Sequence, residues 1–176
     1  WHGQVAAFIG RSGAGKSTMA AACSDAGASV VTDDCLVLRR VDDRWVAVPC
    51  DAGVRLWPQT LELLGWPPAS GAGLAHYTSK RRVGAAHGEI QFESDVLPLA
   101  QVYKLTRPDD DARPGVVRGQ AALMALASEL FRLDVRDAAE SRWQFGAISD
   151  LAEMVPMEAP TRQHPVKAAA AVLCRM

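Results

Sequence analysis

One lysine, one serine and a pair of aspartates have the types and spacing that chemistry would need in this 176-residue chain. Gly10-Arg11-Ser12-Gly13-Ala14-Gly15-Lys16-Ser17 satisfies G-x-x-x-x-G-K-[ST] at every fixed position. Each residue type there has a physical task. Glycines let backbone N–H groups turn inward and approach a phosphate with no Cβ in the way. Lys16 is suited to bridge β- and γ-phosphates, and the hydroxyl of Ser17 to ligate Mg²⁺. Thr18 extends the same nucleotide-binding stretch. With glycine at about 7% of residues, a chance match in a chain of this length is on the order of 1%.

Asp33 and Asp34 are the second feature. One of two adjacent carboxylates can hold Mg²⁺ while the other accepts the proton of an attacking hydroxyl. Their mutual repulsion raises one pKa unless a metal or a cation such as Lys16 offsets it. The residues leave open which aspartate has which role.

The elements that must position these groups read as a βαβ opening. Gln4–Ile9 is a short apolar strand, the glycine loop follows, and Lys16–Ala26 is rich in helix formers and closed by Gly27. A second strand is expected over Ala28–Thr32, parallel to the first, so that Asp33 and Asp34 face the loop from its carboxyl end. Leu36–Val41 and Arg44–Val48 then read as a hairpin turning at Asp42-Asp43. Pro58–Leu64 reads as a short helix ending at Gly65.

Residues 65–88 read as a long Gly-, Pro- and Ser-rich loop carrying Ser79-Lys80-Arg81-Arg82. Those three cations are expected on a lid over the phosphates, against the plainer alternative of a solvated charge run. Arg55, beside Trp57, is divided between the active site and a structural ion pair. Strands are expected at 89–92 and Leu99–Leu105, and a polar turn at 109–115. The rest reads as amphipathic helices at 121–133 and Asp137–Met154, an edge strand at Val155–Glu158 and a terminal Ala-rich helix over Val166–Met176.

Composition bounds the partners. Nineteen Lys and Arg against twenty Asp and Glu give a net charge of −1, which excludes the basic surplus that non-specific nucleic-acid or membrane-surface binding needs. No apolar run approaches the ~20 residues of a membrane span. The opening Trp1-His2-Gly3-Gln4 has no basic n-region or apolar h-region, and the four cysteines have no framework or zinc spacing. A cytoplasmic protein with a single domain over residues 1–176 is expected. Cys35, next to Asp34, reads as a buried small hydrophobe rather than a reactive thiol.

The phosphate loop Gly10–Thr18, then Gly27-Ala-Ser-Val-Val-Thr-Asp-Asp34, then a hairpin where a helix would be usual, resembles the catalytic domain of HPr kinase/phosphorylase. It is more similar still to the short HPr-kinase-like proteins, some of which phosphorylate lasso peptides. The similar stretch runs from about His2 to Arg82. The resemblance implies an α/β fold: a P-loop domain with a mixed sheet, related to the phosphoenolpyruvate carboxykinase-like fold, with a helical C-terminal half. It implies ATP and Mg²⁺, with the catalytic base and a metal contact among Asp33 and Asp34, and Ser17 and Asp34 as metal ligands. It also sets His2-Gly3 on a His-Gly before the loop strand, whose His lies near the phosphate; an exposed terminal residue is the alternative for His2.

Two departures stand out. The segment matching an acidic Glu-Arg-Arg-Gly-type motif reads Asp51-Ala-Gly-Val-Arg55-Leu-Trp-Pro58, without a glutamate, and no phosphorolysis loop or N-terminal companion domain is found. These departures leave HPr as substrate and reversal by phosphate open. The leading expectation is an ATP- and Mg²⁺-dependent kinase acting on a hydroxyl, serine above all, of a peptide or protein, with a homo-oligomer left open. The alternatives are a small-molecule kinase of the shikimate or nucleoside-monophosphate type, in which a helix follows the second strand, and a non-catalytic nucleotide-binding regulator.

Overall fold

The computed structural model describes the chain except for residues 52, 68, 69, 77, 85–89, 108, 111, 112, 132–136, 162 and 163. Strand β1 (Val5–Ile9) runs into the glycine loop and helix α1 (Lys16–Asp25). The hairpin β2 (Val37–Val41) and β3 (Arg44–Val48) follows, then β4 (Gly53–Leu56), α2 (Pro58–Leu63), β5 (Ala72–Ala75) and β6 (Thr78–Gly84). The remainder is β7 (Leu97–Lys104), β8 (Gly115–Val117), α3 (Gly119–Glu129), α4 (Ala138–Met154), β9 (Met157–Ala159) and α5 (Pro165–Leu173).

These strands form two sheets. The larger is six-stranded and mixed, ordered β2-β3-β7-β9-β8, with β1 also paired to β7. Strand β7 is its hub: it pairs in parallel with β1 and β9 and antiparallel with β3. The smaller is three-stranded and antiparallel, ordered β4-β6-β5.

Alternation along β1 fixes the layers. Val5, Ala7 and Ile9 pack with α3 and α4 residues such as Ala122, Leu126, Ile148 and Leu151 on one face. Phe8 faces the other way, onto the cluster that joins α1 to α5 through Met19, Ala22, Ala169 and Leu173. The opposite side of α1 sends Ala21 into the core of the small sheet, beside Val54, Leu56 and Val83. Helix α1 is thus buried between the two sheets, and its alanines let both approach closely.

Several expectations hold: β1, α1 with Gly27 at φ +98°, the hairpin, α2, β7, α4 capped by Asp137, and α5. The hairpin turn reaches its two left-handed positions without glycine, at Asp42 (φ 45°) and Asp43 (φ 61°).

Others are corrected. The strand expected over Ala28–Thr32 is a single parallel bridge, Val30 to Phe92, with Val30 N donating to the Gln91 carbonyl at 2.8 Å. Its apolar side chain joins the small sheet's core, so the segment leaves β1. Phe92 makes only that bridge, and Glu89 of the expected 89–92 strand lies outside the described residues. The long loop at 65–88 is not a loop: β5 and β6 occupy it, while residues 68, 69, 77 and 85–88 lie outside the described residues. The helix expected over 121–133 spans Gly119–Glu129, and residues 132 and 133 lie outside. Strand β9 is interior, because the unforeseen β8 covers its far edge.

Where β1 ends, Leu105 N donates to the Ile9 carbonyl at 2.8 Å, and β7 passes directly against the loop. A Cβ on Gly10 would run into the carbonyl oxygen of Leu105, and Gly10 sits at φ +145°. Gly10→Ala is expected to cost about 1–3 kcal/mol in backbone strain alone, read as a lower urea midpoint at unchanged slope. An unchanged midpoint would contradict the contact.

Candidate active site

The loop turns on glycines at positive φ: Gly13 at +85° and Gly15 at +93°. Gly15 is the N-cap of α1 and supplies no side-chain cap, so the helix presents its first amides and positive dipole end to the loop. Lys16 Nζ folds over the loop, donating to the Gly10 carbonyl and, at 3.4 Å, to that of Arg11. Ala14 N donates to the Arg11 carbonyl at 3.0 Å. Ser12 and Arg11 are exposed. Thr18 is turned away, its hydroxyl 3.2 Å from that of Thr60 on α2.

Asp33 and Asp34 are held by the small sheet. Strand β4 is an edge strand, and its Arg55 N–H donates outward to Asp33 Oδ2 at 2.9 Å. The Arg55 guanidinium pairs with Asp34 Oδ2. Arg55 thereby serves both aspartates, one with its backbone and one with its side chain. Asp33 is half-buried, whereas Asp34 is exposed.

Burial pushes the Asp33 carboxyl above its ordinary value. The Arg55 amide and the Ser17 hydroxyl oppose that shift, Asp34 adds to it through like charge, and Lys80 opposes it as a nearby cation. Ser17, Asp33, Asp34, Arg55 and Lys80 are therefore brought together at the mouth of the glycine loop. Beneath them a cavity of about 310 Å³ is bounded by Lys16, Asp33 and Asp34 and by apolar residues including Phe8, Leu126 and Leu130.

The basic tripeptide is divided by strand geometry. In β6 alternate side chains face opposite ways. Arg82, opposite Arg55 in the register, pairs with Asp51 Oδ1 at 2.5 Å. Lys80 shares that face, lies 5.2 Å from the centre of the Trp57 ring and is close enough to act on Asp33. Arg81 faces the other way, donating to the carbonyls of Ser70 and Gly71. These cations lie on a strand, and one of the three reaches the aspartates.

His2 is not brought to the site. Its ring lies 4.4 Å from that of Trp1, and Trp1 packs beside Gly27, past the C-terminal end of α1 and far from the loop. Cys35 is exposed rather than buried. Cys23 is the buried thiol; burial pushes it up to about 12, and it stays protonated at neutral pH.

Arg107 is the residue that motif reading does not reach. It follows β7 and donates from Nε to the Ser12 carbonyl at 2.9 Å, on the glycine loop itself. It sits just beyond the carboxyl end of β7, which pairs in parallel with β1, a neighbourhood that only the fold reveals.

Glycine loop, buried helix and mixed sheet define an α/β fold of the P-loop kind. A solved structure, that of the HPr(Ser) kinase/phosphatase from Coxiella burnetii, matches it with a TM-score of 0.50 over 97% of this chain and 81% of that one, at 15% identity. The chain has an HPr-kinase-like fold. Comparison with family models and with curated proteins finds no match. No described helix is long and apolar enough to cross a membrane.

The raised Asp33 carboxyl gives a prediction independent of any activity. A carboxyl whose folded pKa lies above its unfolded one loses stability as pH rises through that interval. Asp33→Asn keeps an acceptor for the Arg55 amide but carries no charge. Its melting temperature should exceed that of the parent at pH 7, by about 2–4 °C for each kcal/mol relieved. The gain should shrink toward pH 4. An equal difference at both pH values would contradict the burial argument.

Proposed function

We propose that the chain is an ATP-dependent kinase that transfers the γ-phosphoryl group to a hydroxyl, serine above all, of a peptide or protein. What carries the reading is Asp33: a half-buried carboxylate of raised basicity, beside the Ser17 hydroxyl at the mouth of the glycine loop. The resemblance to the short HPr-kinase-like proteins supports a lasso-peptide tailoring role within that class. The hairpin β2–β3 after Asp34 disfavours the small-molecule alternative, whose folds place a helix there.

In this reading the triphosphate lies on the uncapped amides of α1, with Lys16 along its β- and γ-phosphates. Asp33 takes the proton of the acceptor hydroxyl, its desolvation making it a better base than a free carboxylate. Arg55 holds Asp33 by a backbone amide and Asp34 by its guanidinium, fixing the direction of both. Lys80, steadied on Trp57, supplies positive charge where the transferring group would gather negative charge.

The donor set suits Mg²⁺, a hard cation bound through one or two carboxylates plus phosphate oxygens. Ser17 and Asp34 would hold it. When bound, Mg²⁺ would neutralise phosphate charge. The cytoplasm is the proposed compartment, and the acceptor is a peptide or protein rather than nucleic acid or membrane.

Incubation with ATP, Mg²⁺ and a serine-containing peptide library, followed by mass spectrometry, tests the assignment. Lys16→Ala should lose ATP binding and transfer together. Asp33→Asn should retain ATP binding and lower transfer by about 10²–10⁴-fold, the range of a general base. Transfer at the parent rate in Asp33→Asn would overturn its role. Lys80→Ala should lower kcat with little change in melting temperature, whereas Arg82→Ala, which breaks the pair with Asp51, should not lower kcat selectively.

A further inference from the structure

Three observations converge on the turn after β7. Arg107 Nε donates to the Ser12 carbonyl at 2.9 Å, so its guanidinium lies against the glycine loop. A Cβ built on Gly13 would lie 3.9 Å from that same Nε, so the group passes close beside Gly13 as well. The Arg107 backbone is itself fixed: its N–H donates to Asp110 Oδ2 at 2.7 Å, and Asp110 N returns a bond to its carbonyl at 3.3 Å.

The bond to Ser12 uses Nε, and a guanidinium carries four further N–H donors in a rigid fork on its two Nη atoms. That fork is a bidentate match for phosphate oxygens. Besides the exposed Arg11 of the loop itself, most cations near the loop are engaged elsewhere. Arg81 is committed to carbonyls of the small sheet, Arg82 to Asp51 and Arg55 to Asp34. Lys16 reaches the loop from the helix side and Lys80 from the small sheet. Arg107 comes from the turn after β7 of the large sheet. Among the described residues, Asp110 is the acidic group bonded to it, and it accepts from the backbone N–H rather than from the guanidinium.

We propose that Arg107 is a nucleotide-binding residue: Nε holds the loop at Ser12, and the Nη groups bind the phosphate chain of the nucleotide seated on that loop. The inference rests on the kinase reading for its ligand and adds a cation that the glycine motif does not contain.

The alternative is a brace that only keeps the loop in shape, and charge separates the two. Arg107→Gln retains an N–H donor for the Ser12 carbonyl but has no positive charge. Binding of ATP with Mg²⁺, measured by isothermal titration calorimetry, should weaken about tenfold or more in Arg107→Gln and in Arg107→Ala. Arg107→Lys, charged but without the fork, should fall between Arg107→Gln and the parent. The melting temperature of the nucleotide-free Gln variant should stay within about 2 °C of the parent, which separates a binding defect from unfolding. Parent-like ATP affinity in Arg107→Gln would overturn the proposal, as would a loss of affinity matched by a collapse in melting temperature. Failure of the unmodified protein to bind ATP would instead overturn the kinase reading on which it rests.

Discussion

An anion-binding helix end works only if the protein leaves its first amides unspent, and much of this structure keeps α1 in that condition. Its N-cap is Gly15, which has no side chain to cap with and sits at a φ other residues avoid. Unpaired amides cost free energy when nothing satisfies them, so the helix must be held by other means. Those means are its flanks. Met19, Ala22 and Cys23 are buried against α5, and Ala21 against the small sheet. Strand β7 fixes the loop's first residue by lying where a Gly10 side chain would be, and Arg107 fixes its middle.

Burying α1 between two sheets has a second consequence. The small sheet lies on the opposite side of α1 from β1, and its edge strand β4 faces the segment that carries the aspartates. Val30 follows its side chain into that core and pairs with Phe92 instead of β1. Asp33 then accepts an edge amide that no neighbouring strand uses, and half-burial there raises its proton affinity. One packing decision therefore sets both the raised carboxyl and the side of the loop it addresses.

The glycine loop, α1, the hairpin and the later helices were legible because their signals are local: motif spacing, helix-forming alanines, Asp137 at a helix start. The proximity of Asp33 to Ser17 was legible too, although the route was not. A parallel partner for Ala28–Thr32 on β1 is the usual solution, and the actual one depends on a small sheet hidden in a segment rich in Gly and Ser. Strand β6 escaped notice because Thr-Ser-Lys-Arg-Arg carries no apolar alternation. The same strand then splits its cations, since Lys80 and Arg82 share a face that Arg81 cannot reach. Arg107 lay beyond sequence reading because nothing local links it to Ser12, ninety-five residues earlier. His2 carried a family expectation that its packing on Trp1 does not serve.

The central claim is that this loop and its aspartate move a phosphoryl group rather than merely hold a nucleotide. Phosphorus NMR of the protein with ATP, Mg²⁺ and serine-containing peptides tests it most directly. The γ-phosphate resonance should decline while a phosphomonoester resonance grows on the peptide in equal amount. Intact ATP, or release of inorganic phosphate with no peptide phosphoester, would contradict it.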